Sequence, residues 1–210
     1  TTFRIRCKKL PGRKIHRDRA SIQLAVCTEK RAHRELDGCA VSVNFSARQF
    51  LAPDAERRVL DTLERHGLAP TRLKLELTER VLAGDIRRVR AVMEALAARG
   101  VEFYLDDFGT GYSNLSSVVS LPLQYVKVDR SLLEAATNGG GGALLLRAVV
   151  ETFRAMGRGI LLEGVETPEQ YALACTLRAD RLQGYYLARP MPGEELCALM
   201  RSGARRTRRT

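Results

Sequence analysis

Short apolar segments alternate with longer amphipathic segments along most of this chain, from about residue 40 onward. The apolar segments have the length of buried strands, and the amphipathic ones repeat with the period of a helix. The pattern predicts six strands, at Ala40–Phe45, Leu73–Leu77, Val101–Leu105, Tyr125–Val128, Ile160–Leu162 and Leu182–Leu187. It predicts helices at Asp54–His66, Ile86–Arg99, Ala143–Met156, Pro168–Leu177 and Gly193–Met200. Strands that alternate with helices are typical of an α/β fold, a parallel sheet with helices outside it.

The pattern is less regular at the two ends of the chain. Phe3–Cys7 and Ile15–Arg19 are predicted to form a short hairpin, and Ile22–Leu36 a helix. We therefore divide the chain into an irregular or truncated N-terminal part, a single domain and a basic tail, at residues 1–39, 40–200 and 201–210.

The composition is that of an ordinary globular protein, with 45% hydrophobic and 28% charged residues. Because no apolar run approaches the ~20 residues that cross a bilayer, we predict no membrane segment in this chain. The five cysteines are scattered and lack the paired short spacing of a zinc site. They predict reduced thiols and a cytoplasmic protein.

The formal net charge of +11 comes partly from basic clusters near both ends of the chain. Such clusters are usually solvated, although they can also attract nucleic acid or another anionic ligand. Aromatic residues make up only 6% of the chain, and no basic stretch is interleaved with stacking residues. A nucleic-acid partner is therefore the weakest of the interpretations.

Two adjacent carboxylates, Asp106 and Asp107, follow the predicted strand Val101–Leu105 at the start of a glycine-containing loop. Two like charges at a strand end are costly to bury unless a cation balances them. A hard divalent metal such as Mg²⁺, Mn²⁺ or Ca²⁺ is the usual partner for oxygen ligands. A solvated turn is the alternative, because Asp and Gly are common turn residues.

Other strands also carry a polar side chain at or near their C-terminal ends. These residues are Asn44, Glu76, Glu79, Lys127, Asp129, Glu163, Glu166 and Gln183. In a barrel of parallel strands these ends share one face, where such barrels place their chemistry. The set predicts a hard-metal site, in which Lys127 orients a water or balances a phosphate and Gln183 orients a ligand.

Five stretches together resemble the EAL domain family, bacterial phosphodiesterases for cyclic di-GMP. They are VSVNFSARQF, LKLELTERVL, DDFGTGYSNLSSVVSLPLQYVKVDRSLL, LLEGVETPEQ and LQGYYLARPMP. The resemblance implies a TIM-like barrel with one antiparallel strand near its start. It also implies hydrolysis of cyclic di-GMP to linear pGpG at a two-metal site with Mg²⁺ or Mn²⁺.

The resemblance assigns roles to individual residues. It implies metal ligation by Asn44, Glu76, Asp106, Asp107 and Glu163, with Asp106 between the two metals. It implies catalytic roles for Lys127, which contacts the attacking water, and for Glu163. Substrate contact or loop positioning falls to Glu79, Thr110, Asp129, Glu166 and Gln183.

The Glu-Ala-Leu segment for which the family is named, and whose Glu binds metal, has no counterpart on an early strand. Glu94-Ala95-Leu96 lies inside a predicted helix, so we interpret it as a coincidence. Asp18 falls where the family's Glu stands and is the candidate replacement. We therefore expect a barrel that is incomplete or modified at its N-terminal strands.

Two functions follow from these expectations. The first is a cyclic di-GMP phosphodiesterase, and the alternative is a catalytically inactive EAL domain that acts as a cyclic di-GMP receptor or a protein-interaction module. The resemblance also implies a homodimer through the helix after the DDFGTGYS loop, and an upstream sensory or diguanylate cyclase domain.

Overall fold

The computed structural model of this protein describes residues 40–83, 85–110 and 115–201. The predicted hairpin and helix within residues 1–39, and with them Asp18, lie outside the described residues. Residues 202–210 of the basic tail also lie outside them. The division of the chain into three parts therefore stays a prediction.

A sheet of six parallel strands forms the framework, and the strands follow one another across the sheet as they do along the chain. They are β1 Val41–Asn44, β2 Leu73–Thr78, β3 Glu102–Phe108, β4 Tyr125–Val128, β5 Gly159–Leu162 and β6 Arg181–Leu182. Each parallel connection needs a crossover, which the intervening helices and loops provide. The sheet curls, so that its inner face is concave.

The described residues form eight α-helices. These are α1 Ala47–Phe50, α2 Ala55–Arg65, α3 Ile86–Ala98, α4 Leu115–Val119, α5 Arg130–Thr137, α6 Gly142–Ala155, α7 Pro168–Thr176 and α8 Gly193–Arg201. Short 3₁₀ segments, Pro70–Arg72 and Glu79–Ala83, flank β2. The five predicted helices are confirmed, whereas α1, α4 and α5 were missed because each spans only one or two turns, too few for a clear apolar period.

The pleat of β2 shows how the sheet divides its two faces. Leu73, Leu75 and Leu77 are buried and join the hydrophobic core with apolar residues of the outer helices. Lys74 and Glu76 project to the opposite, inner face and are nevertheless only 5% and 4% exposed. The inner face of the sheet thus holds buried charged side chains.

Two strand predictions need correction. The predicted strand Val101–Leu105 extends in the structure through both aspartates to Phe108. The predicted strand Leu182–Leu187 is wrong beyond Leu182, because the chain turns at Gly184, whose carbonyl accepts hydrogen bonds from the Leu187 and Ala188 amides. The apolar residues in that stretch cover a turn rather than a buried strand.

None of the helices in the described ranges is both long enough and apolar enough to cross a membrane.

Candidate metal centre

The ammonium group of Lys127 lies at the centre of the site, on the inner face of β4. Its Nζ is 3.2 Å from Glu76 Oε2 and 2.7 Å from Glu163 Oε1, and it also donates a hydrogen bond to Asp106 Oδ1. Lys127 is 1% exposed. We call these four residues, which come from β2, β3, β4 and the end of β5, the carboxylate–lysine cluster.

Among the described residues of this cluster, three carboxylates share one ammonium, and all four side chains are buried. Buried carboxylates need positive charge beside them, and a divalent cation is one partner that can supply it. The donor set consists of oxygens, which is the set that Mg²⁺ and Mn²⁺ prefer.

Asp107 joins the same end of the sheet through a distortion of β3. The pairing of β3 with β4 shifts register between Leu105 and Phe108, and Asp107 has a φ of 57°. A regular strand would turn consecutive side chains to opposite faces, whereas a bulge re-aims one of them. As a result, carboxylate oxygens of Asp106, Asp107 and Glu163 all lie within 4.8 Å of one another.

The burial of Asp106, at 3% exposure, argues against the solvated-turn interpretation of the aspartate pair. Its carboxylate is enclosed on the inner face of the sheet and shares the Lys127 ammonium with Glu76. Oxygens this close together, with Glu163 beside them, fit a site for one or two divalent ions. The residues present therefore suit the metal that the resemblance implies.

The loop after Asp107 is fixed by hydrogen bonds at its first residues. Glu79 Oε1 accepts a hydrogen bond from the Gly109 amide at 3.1 Å, and Thr110 Oγ1 donates one to the Asp107 carbonyl at 3.0 Å. Gly109 has a φ of 105°, and a Cβ there would lie 2.3 Å from Leu132 Cδ1. Glu79 and Thr110 therefore hold the loop rather than belonging to the carboxylate–lysine cluster.

Asn44 and Gln183 lie on either side of the cluster. Asn44 is the register partner of Glu76, and it is exposed at the end of β1. Gln183 is half-buried after β6, and its backbone joins the Leu162 carbonyl at 2.9 Å and the Val165 amide at 3.1 Å. Both residues are therefore at the end of the sheet where the sequence placed them.

Asp129 and Glu166 make contacts outside the carboxylate–lysine cluster. Asp129 caps helix α5, because its Oδ1 accepts a hydrogen bond from the Ser131 amide at 2.9 Å. Glu166 pairs with Arg130, a residue that the sequence analysis missed. The stem of Arg130 also fills the space beside Gly164, where a Cβ would lie 2.5 Å from it.

Arg130 thus links the end of β4, the strand that carries Lys127, to the loop after β5, which begins with Glu163. Its position directly after the Asp129 cap was the available signal in the sequence. The arginine side chain is half exposed, so this ion pair adds little to stability by itself.

The Glu-Ala-Leu tripeptide at Glu94–Leu96 lies within helix α3. Glu94 Oε1 accepts a hydrogen bond from Arg90 Nε at 2.7 Å, and both side chains are about half exposed. Leu96 is buried in the hydrophobic core, so the tripeptide is an ordinary part of an amphipathic helix and does not lie on an early strand.

The EAL domain model matches residues 18–190. The chain therefore belongs to the EAL domain family, and its curled parallel sheet with outer helices is the TIM-like barrel architecture of that family.

Among curated relatives, the chain is 38% identical over 158 residues to the bifunctional diguanylate cyclase/cyclic di-GMP phosphodiesterase MucR of Pseudomonas aeruginosa, covering 75% of this chain. It is 32% identical over 163 residues to the oxygen sensor protein DosP of Escherichia coli, covering 78% of this chain. The chain spans only 23% and 20% of the lengths of these two relatives.

Solved structures of EAL domains share the fold. A cyclic di-GMP complex of the PaMucR phosphodiesterase has a TM-score of 0.73 at 37% identity, covering 81% of this chain and 70% of that one. The EAL domain of Mycobacterium smegmatis DcpA has a TM-score of 0.77 at 32% identity, covering 84% and 81% of the two chains.

Proposed function

We propose that this EAL domain is a phosphodiesterase that hydrolyses cyclic di-GMP to linear pGpG with Mg²⁺ or Mn²⁺. The observation that carries the proposal is the buried carboxylate–lysine cluster, in which three carboxylates converge on Lys127 with Asp107 beside them. Family membership and the cyclic di-GMP complex of a relative support the choice of substrate.

The proposed metal ligands are Asn44, Glu76, Asp106, Asp107 and Glu163, with Asp18 as a further candidate. Bound divalent ions would supply Lewis-acid activation of a phosphoryl oxygen and of a water molecule. The cluster of Asp106, Asp107 and Glu163 suits the binding of such ions because it offers hard oxygen donors within 4.8 Å of one another.

Lys127 and Glu163 have the proposed catalytic roles. Three carboxylates hold the Lys127 ammonium in one place, so it is oriented before substrate arrives. From there it donates hydrogen bonds to the attacking water and offsets charge on the phosphoryl group. Glu163 Oε1 lies 2.7 Å from the ammonium as an ion pair and helps to hold it in place.

The surrounding residues have positioning roles in the proposal. Glu79 and Thr110 hold the loop after Asp107. Asp129 starts helix α5, and Glu166 ties the loop after β5 to that helix. Gln183 stands at the adjoining strand end, where its amide can hold a group of the substrate.

A receptor without turnover is the second candidate function. It is favoured by one observation, the lack of a Glu-Ala-Leu segment on an early strand of this sequence, because the tripeptide at Glu94–Leu96 lies within helix α3. A site with one charged ligand fewer would bind metal less tightly and would bind cyclic di-GMP without hydrolysing it efficiently.

Chromatography of cyclic di-GMP incubated with the protein and Mn²⁺ tests the first function. We expect linear pGpG from the wild-type chain and none from Asp106→Asn, whereas the exposed matched control Asp61→Asn keeps wild-type turnover. Calorimetric binding of cyclic di-GMP with no product at high protein concentration would establish the receptor instead.

The proposal also includes a homodimer, a cellular location and a neighbouring domain. A homodimer through helix α4 is supported by Val119, which is 51% exposed there. A cytoplasmic location is supported by the free thiol of Cys175. An upstream sensory or diguanylate cyclase domain is supported by the chain's small share of its curated relatives.

A further inference from the structure

A second polar layer lies on the inner face of the sheet, closer to the start of the strands than the carboxylate–lysine cluster. We call it the floor layer, and its members are Lys74, Glu102, Tyr104, Tyr125 and Arg181. All of them except Glu102 stand two positions before a residue of the proposed site. The pairs are Lys74 and Glu76, Tyr104 and Asp106, Tyr125 and Lys127, and Arg181 and Gln183. Residues two apart on a strand share one face, so the two layers are adjacent.

The members of the floor layer form a continuous chain of polar contacts. Arg181 donates a hydrogen bond to the Tyr104 hydroxyl, which donates one to Glu102 Oε2 at 3.2 Å. The other oxygen of Glu102 pairs with Lys74. Polar contacts thus run from β6 through β3 to β2.

The aromatic rings fill the space beneath that chain of contacts. Tyr104 and Tyr125 stack with their centroids 4.9 Å apart, and the Arg181 guanidinium lies 4.0 Å from the Tyr125 centroid. Gly159 on β5 makes room for this stack, because a Cβ there would lie 2.3 Å from Tyr125 Cε1. The floor layer is therefore packed as well as hydrogen-bonded.

The contact between Arg181 and Tyr104 spans three strand spacings. Neighbouring strands lie about 4.8 Å apart, so β6 and β3 would be about 14 Å apart on a flat sheet. Their side chains meet because the sheet curls around its inner face. A hydrogen bond across the concave face stabilises that curvature, because flattening the sheet would break it; we call such a contact a brace.

The curvature also sets the geometry of the site. Glu76 and Asp106 come from the β2–β3 side of the sheet, and Glu163 from the β5–β6 side. These carboxylates share the Lys127 ammonium only while the two sides stay close. A flatter sheet would move Glu163 away from the other two.

We infer that Arg181 and Tyr104 are positioning residues, which brace the curved sheet so that the carboxylates of the proposed metal site meet. The inference rests on the proposed function, since it concerns the same site. Neither side chain is placed among the metal ligands. Tyr104 acts through β3, which carries Asp106, and Arg181 acts through β6, which pairs with the strand that leads to Glu163.

The state of the phenol fits this role. Burial raises the pKa of the Tyr104 hydroxyl well above its ordinary value, and the nearby Glu102 carboxylate raises it further, against the opposing effect of Arg181. The hydroxyl therefore keeps its proton and stays a donor to Glu102 throughout the neutral range.

Two variants of the full chain test the brace. Arg181→Met removes the guanidinium but keeps a long stem, and Tyr104→Phe removes only the hydroxyl. We expect calorimetry to show Mn²⁺ binding at least about tenfold weaker in both, the range typical for lost outer contacts of a metal site. Arg181→Lys, which keeps the positive charge, recovers part of the affinity.

A second measurement needs neither metal nor turnover. In metal-free protein the ¹⁵N signal of the Lys127 Nζ reports on the three carboxylates around it. We expect this signal to move in both floor-layer variants, because the carboxylates shift away from the ammonium. If Arg181→Met does not fold, Tyr104→Phe decides the question.

Two controls separate bracing from general loss of stability. Arg147→Met removes an exposed arginine from helix α6, and Val89→Ala weakens the hydrophobic core away from the inner face. Both should keep the wild-type Kd for Mn²⁺ and the wild-type Lys127 signal. If Val89→Ala weakened Mn²⁺ binding as much as Arg181→Met, the inference would be overturned.

The outcomes distinguish the inference from the proposed function. Wild-type Mn²⁺ affinity and an unmoved Lys127 signal in both floor-layer variants would overturn the brace, even if the wild-type chain hydrolyses cyclic di-GMP. A moved Lys127 signal in a chain without any hydrolysis would uphold the brace and refute the phosphodiesterase.

Discussion

Replacement of Lys127 by Met tests the electrostatics of the cluster most severely. The substitution keeps the length of the side chain but removes the ammonium that contacts Glu76, Asp106 and Glu163. Removing one partner of a buried ion pair costs about 3–5 kcal/mol, because the opposing charge is left in a poor environment. Since 1 kcal/mol shifts the melting temperature of a chain of this size by about 2–4 °C, we expect a fall of about 6–20 °C.

Divalent metal should reverse much of this loss. A ligand that binds only the folded state stabilises it by about 2.7 kcal/mol at one hundred times its Kd. Because the Lys127 ammonium no longer competes for the carboxylates in Lys127→Met, we expect Mn²⁺ to raise its melting temperature more than that of the wild-type chain.

Differential scanning fluorimetry with and without Mn²⁺, and with a chelator, measures both effects. Arg147→Met serves as the control, since it removes an exposed cation that lies outside the cluster. A metal-free Lys127→Met protein that melts within about 2 °C of the wild type would refute the reasoning, because the ammonium would then contribute little to balancing the buried carboxylates.

Three further predictions concern single contacts. Gly159→Ala should cost about 1–3 kcal/mol in urea unfolding, because the new methyl group meets the Tyr125 ring at 2.3 Å. Glu79→Ala should lower cyclic di-GMP turnover about tenfold, because the Gly109 amide loses its hydrogen-bond acceptor. Glu79→Gln should keep most of the turnover, because the glutamine side chain still offers an oxygen to that amide. Tyr104→Phe should reduce the loss of stability above pH 10, as measured by urea unfolding. The pKa of the phenol is raised in the folded state, so the hydroxyl stabilises the folded state fully below its unfolded pKa of 10.0. This contribution is lost as the pH rises through the folded-state pKa.

Each of these has a clear contrary result. An unchanged free energy of unfolding in Gly159→Ala would mean that the Tyr104–Tyr125 stack can move aside without loss of stability. Equal turnover in Glu79→Ala and wild type would mean that the loop needs no tether. An alkaline profile that is the same with and without the Tyr104 hydroxyl would remove that group as the cause.

The sheet could be predicted from the sequence because its information is local. Each apolar segment is long enough to identify a strand, and β4 was predicted with the bounds that the structure shows, Tyr125–Val128. The site residues could be placed at one end of the sheet for the same reason, since parallel strands end together. Asp106, Lys127 and Glu163 meet there as expected.

The length of β3 could not be predicted, because its last residues are charged. Asp106 is buried within a strand where Lys127 contacts it, and that partner is 21 residues away in the chain. The register shift that turns Asp107 to the same side depends on pairing with β4. Neither property is visible in the local pattern of apolar residues.

The floor layer was also missed, for a related reason. Lys74 and Arg181 are charged residues, and the burial of Lys74 and the partial burial of Arg181 follow from the curl of the sheet. Their spacing, two positions before a proposed site residue, was a signal that could have been used. Gly159 is similar, because its need for space is set by Tyr125 on the neighbouring strand.

The central claim is that the cluster of Asp106, Asp107 and Glu163 holds divalent metal beside Lys127. Anomalous diffraction from crystals soaked in millimolar Mn²⁺ tests it most directly. The account predicts one or two peaks within coordination distance of these three carboxylates. A map with no anomalous peak there, and with Lys127 still in contact with all of its carboxylates, would contradict it.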